Sequence, residues 1–93
     1  MKIKITEKHI ENSIKLCQKP GKIISRVCPT AVALKEAFSG AKVMVGFEAI
    51  EIKTKGNSRD YYTSFPRLRK QIKSFTQDLR SFKPGVYSIK KVS

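Results

Sequence analysis

The sequence predicts an α+β protein with a small, mostly antiparallel sheet and about three helices, in the approximate order β-α-α-β-β-β-α-β. Two patterns indicate this class. Apolar and polar residues alternate in short segments such as Lys2-Ile3-Lys4-Ile5, which is typical of strands with one buried face. Elsewhere apolar residues recur every three or four positions, which is typical of amphipathic helices. A chain of 93 residues predicts one domain, residues 1–93.

The first half of the chain is expected to contain one strand and two helices. After the strand, Thr6 is predicted to cap a helix that ends near Cys17. The apolar stripe of this helix is Ile10, Ile14 and Cys17. Residues 23–27 are expected to be an extended connection. A second helix is predicted to begin at Pro29, with Cys28 as its cap. Its buried face is expected to comprise Ala31, Leu34, Ala37 and Phe38.

The second half is expected to contain the remaining strands and a third helix. Residues 42–54 change to the strand period, with apolar side chains expected at Val43, Val45, Phe47, Ile50 and Ile52. The segment KGNSRD, residues 55–60, predicts a hairpin turn, and residues 61–65 a returning strand. A helix then covers the segment from Pro66 to Arg80, and a final strand covers residues 86–92. The buried stripe of this helix is predicted to be Leu68, Ile72, Phe75 and Leu79.

Basic charge is concentrated in the last third of the chain. The sequence has 20 Lys and Arg residues against seven Asp and Glu residues, a net charge of +13. Residues 66–93 contain eight of the basic residues and one acid, Asp78. On the predicted third helix, the stripe beside the buried face comprises Arg69, Lys73 and Arg80, and the far flank Arg67 and Lys70. Such clustering favours a polyanion-binding surface; a solvated helix face is the simpler alternative.

These charges predict a small non-catalytic protein that binds DNA or RNA through phosphate contacts. The predicted binding residues are Arg67, Arg69, Lys70, Lys73, Arg80, Lys83, Lys90, Lys91 and Arg59. Binding should depend strongly on salt and weakly on base sequence, because no base-reading motif is present. Near the hairpin, Tyr61 and Tyr62 must point to opposite faces of a strand, so at most one is expected to face outward. An outward tyrosine beside basic residues could stack on unpaired bases, although one core and one surface tyrosine is the simpler alternative.

Two short motifs carry a resemblance to a group of proteins. The segment CPTAVALKEAF begins one predicted helix, and PRLRKQIKSF begins a later one before the final strand. This arrangement resembles small uncharacterised proteins of phages and prophages with a "CP-x-A-x-A-L" helix start and a late proline-led helix. The matching residues are Cys28, Pro29, Ala31, Ala33 and Leu34, then Pro66, Ile72 and Phe75. The resemblance implies an origin in a mobile element and no particular activity.

That origin leaves two other functions open. The protein could instead be an inhibitor that acts on a host protein or a defence ribonucleoprotein, as an anti-CRISPR protein does. Its basic surface would then meet an acidic protein surface or the RNA of the complex. It could also be a virion or assembly component, which would form homo-oligomers.

Few residues favour catalysis or a metal site. Cys28 at a helix N-terminus favours a thiolate, but a nucleophile needs a base, and His9 is expected to lie on the surface. Glu48 and Glu51 form a carboxylate pair in sequence, but three residues apart on a strand they point to opposite faces. No catalytic residue, cofactor or metal site is therefore predicted, and both cysteines are expected to be reduced.

The expected location is the cytoplasm, which would be the host cytoplasm for a phage-encoded protein. No apolar run approaches the roughly 20 residues that span a bilayer, and the N-terminal segment lacks the apolar core of a signal peptide. No membrane partner is therefore predicted.

Overall fold

The structure is a computed structural model that describes residues 1–54, 56 and 58–92. Its elements, in chain order, are β1 (Lys2–Ile5), α1 (Glu7–Cys17), α2 (Ile24–Val27), α3 (Pro29–Ala37), β2 (Lys42–Val45), β3 (Ile50–Lys53), β4 (Arg59–Ser64), α4 (Pro66–Gln77) and β5 (Gly85–Lys91). The strands form one antiparallel sheet in the order β1-β5-β4-β3-β2. The predicted α+β class is confirmed, with one short helix more than expected.

The sheet has a buried face and an open face. Directly opposite residues point to the same side, and pairs such as Ile3 with Tyr87 and Val43 with Ile52 are buried. Helix α3 contacts both edge strands, β1 and β2, and α4 contacts β4 and β5. The sheet therefore curls around α3, and the described helices all cover the same side.

The other side, which we name the open sheet face, carries the alternate residues of every strand. These residues are Lys2, Lys4, Lys42, Met44, Glu51, Lys53, Arg59, Tyr61, Thr63, Val86, Ser88 and Lys90. All of them are exposed or half-buried. One face packs into the core and the other meets solvent, as is common for antiparallel sheets.

Three helices, α1, α3 and α4, begin at the residues that the sequence predicts. The Thr6 hydroxyl accepts a hydrogen bond from the His9 N–H at 3.3 Å, so the predicted cap is confirmed. Pro29 and Pro66 each occupy a first helical position, where the missing N–H of proline costs no hydrogen bond. None of the described helices is long and apolar enough to cross a membrane.

Helix α4 is shorter than predicted, because Asp78 ends it. Asp78 has extended backbone angles (φ −146°, ψ 109°), and its Oδ1 accepts a hydrogen bond from the Arg80 N–H at 3.0 Å. Aspartate competes with helical hydrogen bonds in this way. Arg80 therefore lies beyond the helix, although the buried stripe of Leu68, Ile72 and Phe75 is confirmed, with Leu79 partly buried against the core.

Three other local predictions are wrong. Residues 24–27 form the short helix α2 rather than an extended connection. On α3, Ala37 is exposed and Ala33 is buried instead. Phe47 is exposed, because a turn closed by a hydrogen bond of 2.9 Å from the Gly46 N–H to the Ala49 carbonyl ends the alternation of β2.

The predicted hairpin between β3 and β4 is confirmed. Lys55 and Asn57, which belong to the predicted turn, lie outside the described residues.

His9 is also buried, against the expectation of a surface histidine. It is 8% exposed, and its Nδ1 accepts a hydrogen bond from the Thr6 N–H at 3.0 Å. That bond leaves the proton on Nε2, which lies 2.7 Å from the Glu36 carboxylate. His9 thus completes the cap of α1 and links α1 to α3.

Candidate functional site

The nine residues predicted to bind nucleic acid do not form one surface. Arg59 and Lys90 lie on the open sheet face. The helix α4 and the segment after it carry the exposed residues Lys70, Lys73, Arg80 and Lys83. Lys91 lies on the buried side of β5, where its Nζ is 3.4 Å from the Asp60 carboxylate. The remaining two, Arg67 and Arg69, contact the sheet.

Both of these arginines contribute to the packing of α4. The Arg69 guanidinium donates to the Ser64 carbonyl at 2.9 Å and to the Thr63 hydroxyl at 3.4 Å, and the residue is half-buried. Arg67 donates to the Val86 carbonyl at 3.2 Å and lies 4.9 Å from the centre of the Tyr87 ring. The predicted stripe of Arg69, Lys73 and Arg80 is therefore not formed, because Arg69 turns toward β4 and Arg80 follows the helix.

The structure assembles a different set of cations on the open sheet face. Its six basic residues are Lys2, Lys4, Lys42, Lys53, Arg59 and Lys90, and its acidic residue is Glu51. The other two acids of this region lie elsewhere. Asp60 is on the buried side of β4, and Glu48 is in the turn between β2 and β3. The face is therefore strongly positive.

Three of these cations lie side by side across neighbouring strands. Lys42 on β2 is the direct partner of Lys53 on β3, and Lys53 is the direct partner of Arg59 on β4. We name these three residues the cationic row. Like charges that face each other directly across strands destabilise a sheet. Arg59 also forms an ion pair with Glu51 at 3.6 Å, which counteracts this repulsion.

The cationic row forms one wall of a cleft of about 620 Å³ at the β2 edge of the sheet. Arg26 from α2 and Lys35 from α3 line the cleft as well, so five cations and one carboxylate, Glu51, surround it. The remaining lining residues are Ala41, Val43 and Met44. We name this feature the edge cleft. Its geometry and charge suit an anion with several negative groups.

Lys35 is the cleft lysine whose pKa is shifted by its surroundings. Its ammonium group donates to the Arg26 carbonyl at 2.6 Å, which holds it near the cleft. Burial, with a smaller effect of the neighbouring cations Lys22 and Arg26, lowers the pKa of Lys35. A bound anion would oppose this effect, because an opposite charge nearby favours the ammonium form.

One of the two adjacent tyrosines lies on the open sheet face, as predicted. Tyr61 is 40% exposed, whereas Tyr62 is 8% exposed and belongs to the core. Tyr61 is directly opposite Glu51 on β3, and Glu51 is in turn directly opposite Met44 on β2. An aromatic ring thus lies beside the cationic row.

The cysteine considered as a nucleophile lies in surroundings that disfavour its thiolate. Burial raises the pKa of the Cys28 thiol to about 11, despite the backbone N–H groups of Thr30 and Ala31 that favour the thiolate. Both Cys17 and Cys28 are free. Within the described ranges, no group of three or more His, Cys, Asp or Glu side chains could hold a metal ion. The absence of enzymatic activity stays a prediction.

No protein-family model, no curated protein and no solved structure matches this chain. The resemblance to small phage and prophage proteins therefore stays a prediction.

Six basic residues of the edge cleft and the open sheet face were not among the residues predicted from the sequence. Four line the cleft, namely Arg26, Lys35, Lys42 and Lys53, and two, Lys2 and Lys4, lie on β1. These residues are far apart in the sequence, so no short segment of the chain contains enough of them to stand out as a basic cluster. The alternation of Lys2 and Lys4 with buried isoleucines was a usable signal, since it places both lysines on the solvent side of an edge strand.

Proposed function

We propose that this protein binds nucleic acid, and that it does so through phosphate contacts made by the edge cleft and the open sheet face. The observation that carries the proposal is the cationic row. Lys42, Lys53 and Arg59 are held directly opposite one another, and Arg26 and Lys35 add two further cations at the same edge. A row of like charges costs folding stability, and a bound row of phosphates would offset that cost.

The chemistry of the site favours phosphate groups over a single carboxylate. The Cβ atoms of opposite residues on adjacent strands are separated by about 4.5–5.5 Å, so the cationic row brings three long basic side chains together where they could reach neighbouring phosphates of one strand. Arg59 adds a planar guanidinium that can contact phosphate with two N–H groups, whereas each lysine acts as a point charge. Such contacts do not depend on the base, which agrees with weak sequence specificity.

The salt dependence of binding tests this proposal. We expect purified protein to bind a fluorescently labelled oligonucleotide at low salt, with anisotropy as the readout. If the five cations of the edge cleft each neutralise one phosphate, the logarithm of the association constant should fall with the logarithm of salt concentration with a slope of roughly −3 to −5. Absence of binding at low salt, or binding that salt does not weaken, would contradict the proposal and direct attention to an acidic protein partner.

A further inference from the structure

One exposed aromatic residue, Tyr61, lies on the open sheet face, and a second, Phe65, directly follows the same strand. Along β4, the even-numbered residues Tyr62 and Ser64 are buried, while Tyr61 is 40% exposed. Phe65 continues this alternation directly after the strand, where its N–H is 3.5 Å from the Ser88 carbonyl of β5, and it is 47% exposed. Tyr61 and Phe65 are four residues apart, about 13 Å along an extended chain.

Basic residues occupy positions neighbouring both aromatic residues. Tyr61 is opposite Glu51, so Lys53 is its diagonal neighbour, at a distance of about 7–8 Å. Phe65 lines a hollow of about 190 Å³ together with Arg67, Val86 and Ser88. The Arg67 guanidinium is fixed there by its bond to the Val86 carbonyl. Lys90 is the direct partner of Thr63, which lies between Tyr61 and Phe65 on the chain, so basic residues are interspersed with the two aromatic residues from the hollow to the edge cleft.

This arrangement distinguishes between the forms of nucleic acid. In a duplex the faces of the bases are stacked inside the helix, so an aromatic side chain on a protein surface reaches them only if base pairs are unstacked at a cost of a few kcal/mol. In a single strand the bases are free to stack on aromatic rings while the backbone follows a basic surface. The Tyr61 hydroxyl could also donate to a phosphate, whereas the Phe65 ring has no polar group and could contribute only through stacking or apolar contact.

We infer that the ligand is a single-stranded nucleic acid, with its phosphates in the edge cleft and its unpaired bases stacked on Tyr61 and Phe65. This inference rests on the proposed function and names the ligand class of the same site. DNA and RNA strands share this chemistry, so the experiment that tests the inference includes both.

The inference is tested by the affinity of three labelled or competing polyanions for the wild-type protein and its variants. The probes are a thymidine or uridine strand of about twelve nucleotides, a duplex of the same length, and inorganic polyphosphate, which has charge and no bases. The variants are Tyr61→Ala, Phe65→Ala and Tyr61→Phe. Thermal unfolding of each variant shows that it is folded before its affinity is compared.

We expect the wild type to bind the single strand more tightly than either of the other two polyanions. Tyr61→Ala should lower the single-strand affinity by about 5- to 150-fold, which corresponds to the loss of one base–aromatic stack. Phe65→Ala should lower it in the same direction, and Tyr61→Phe should restore most of the affinity, because it keeps the ring. A thymidine strand and a uridine strand that lose affinity together would support stacking as the shared mode.

Two results would overturn the inference, and they have different consequences for the proposed function. If all three polyanions bind equally, with the usual salt dependence and no effect of Tyr61→Ala or Phe65→Ala, the proposed function stands and the single-strand inference is wrong. If none of the three binds at low salt, the proposed function and the inference both fail.

Discussion

Replacing Phe75 with alanine is expected to destabilise the protein by about 3–5 kcal/mol. Phe75 is fully buried on α4, and its ring meets Phe82 edge to face at 6.1 Å, while Phe82 meets Tyr87 of β5 at 5.8 Å. Removing the first ring leaves a cavity and ends this chain of aromatic contacts. Since small domains unfold at a cost of about 5–15 kcal/mol, such a loss should leave α4 poorly attached to the sheet.

Urea unfolding followed by circular dichroism measures this loss, and the chain offers a matched control. Phe47→Ala removes the same side chain from an exposed turn, where the expected change is within about 0.5 kcal/mol. A loss below about 1 kcal/mol for Phe75→Ala would contradict the packing of α4 described above, because no core phenylalanine is removed so cheaply.

The double variant Lys42→Gln/Lys53→Gln is expected to bind nucleic acid more weakly and to fold more stably. It removes two members of the cationic row and both directly opposed pairs of like charge. Relief of that repulsion should raise the free energy of unfolding by about 0.2–1 kcal/mol. Loss of two phosphate contacts, each worth about 0.5–1 kcal/mol, should lower the affinity by about 5- to 30-fold. Urea unfolding and fluorescence anisotropy measure the two effects.

A control with the same change in net charge is available on α4. Lys70→Gln/Lys73→Gln removes two exposed lysines that lie one turn apart, away from the open sheet face. We expect this variant to keep most of the affinity, because its charges act only through the overall field, which salt screens. Equal losses in the two double variants would show that net charge, and not the cationic row, governs binding.

Much of the fold was predictable because local signals agreed with the final structure. The alternation of Lys2-Ile3-Lys4-Ile5 fixed both the strand and its buried side, and Pro29 and Pro66 marked the helix starts correctly. The errors arose where a tertiary or side-chain contact decided the outcome. The burial of His9 depends on Glu36, which is 27 residues away, and the end of α4 depends on a local bond of Asp78.

The candidate site is less predictable, because the distribution of charge along the chain does not show its distribution across the sheet. Residues 41–65 contain four basic and three acidic residues, a net charge of only +1. The fold separates those charges: it turns Asp60 to the buried side and aligns Lys42, Lys53 and Arg59 on the open one. Conversely, one basic residue of α4 is not available on the solvent-facing side of the helix, because the Arg69 guanidinium donates to the Ser64 carbonyl.

The location of the bound strand tests the central claim most directly. Backbone amide chemical shifts of isotopically labelled protein, followed by nuclear magnetic resonance during titration with a thymidine strand, report which residues contact the ligand. We expect the largest changes at Lys42, Lys53, Arg59 and Tyr61, on the open sheet face and in the edge cleft. Changes confined to the exposed side of α4, around Lys70 and Lys73, would contradict this account.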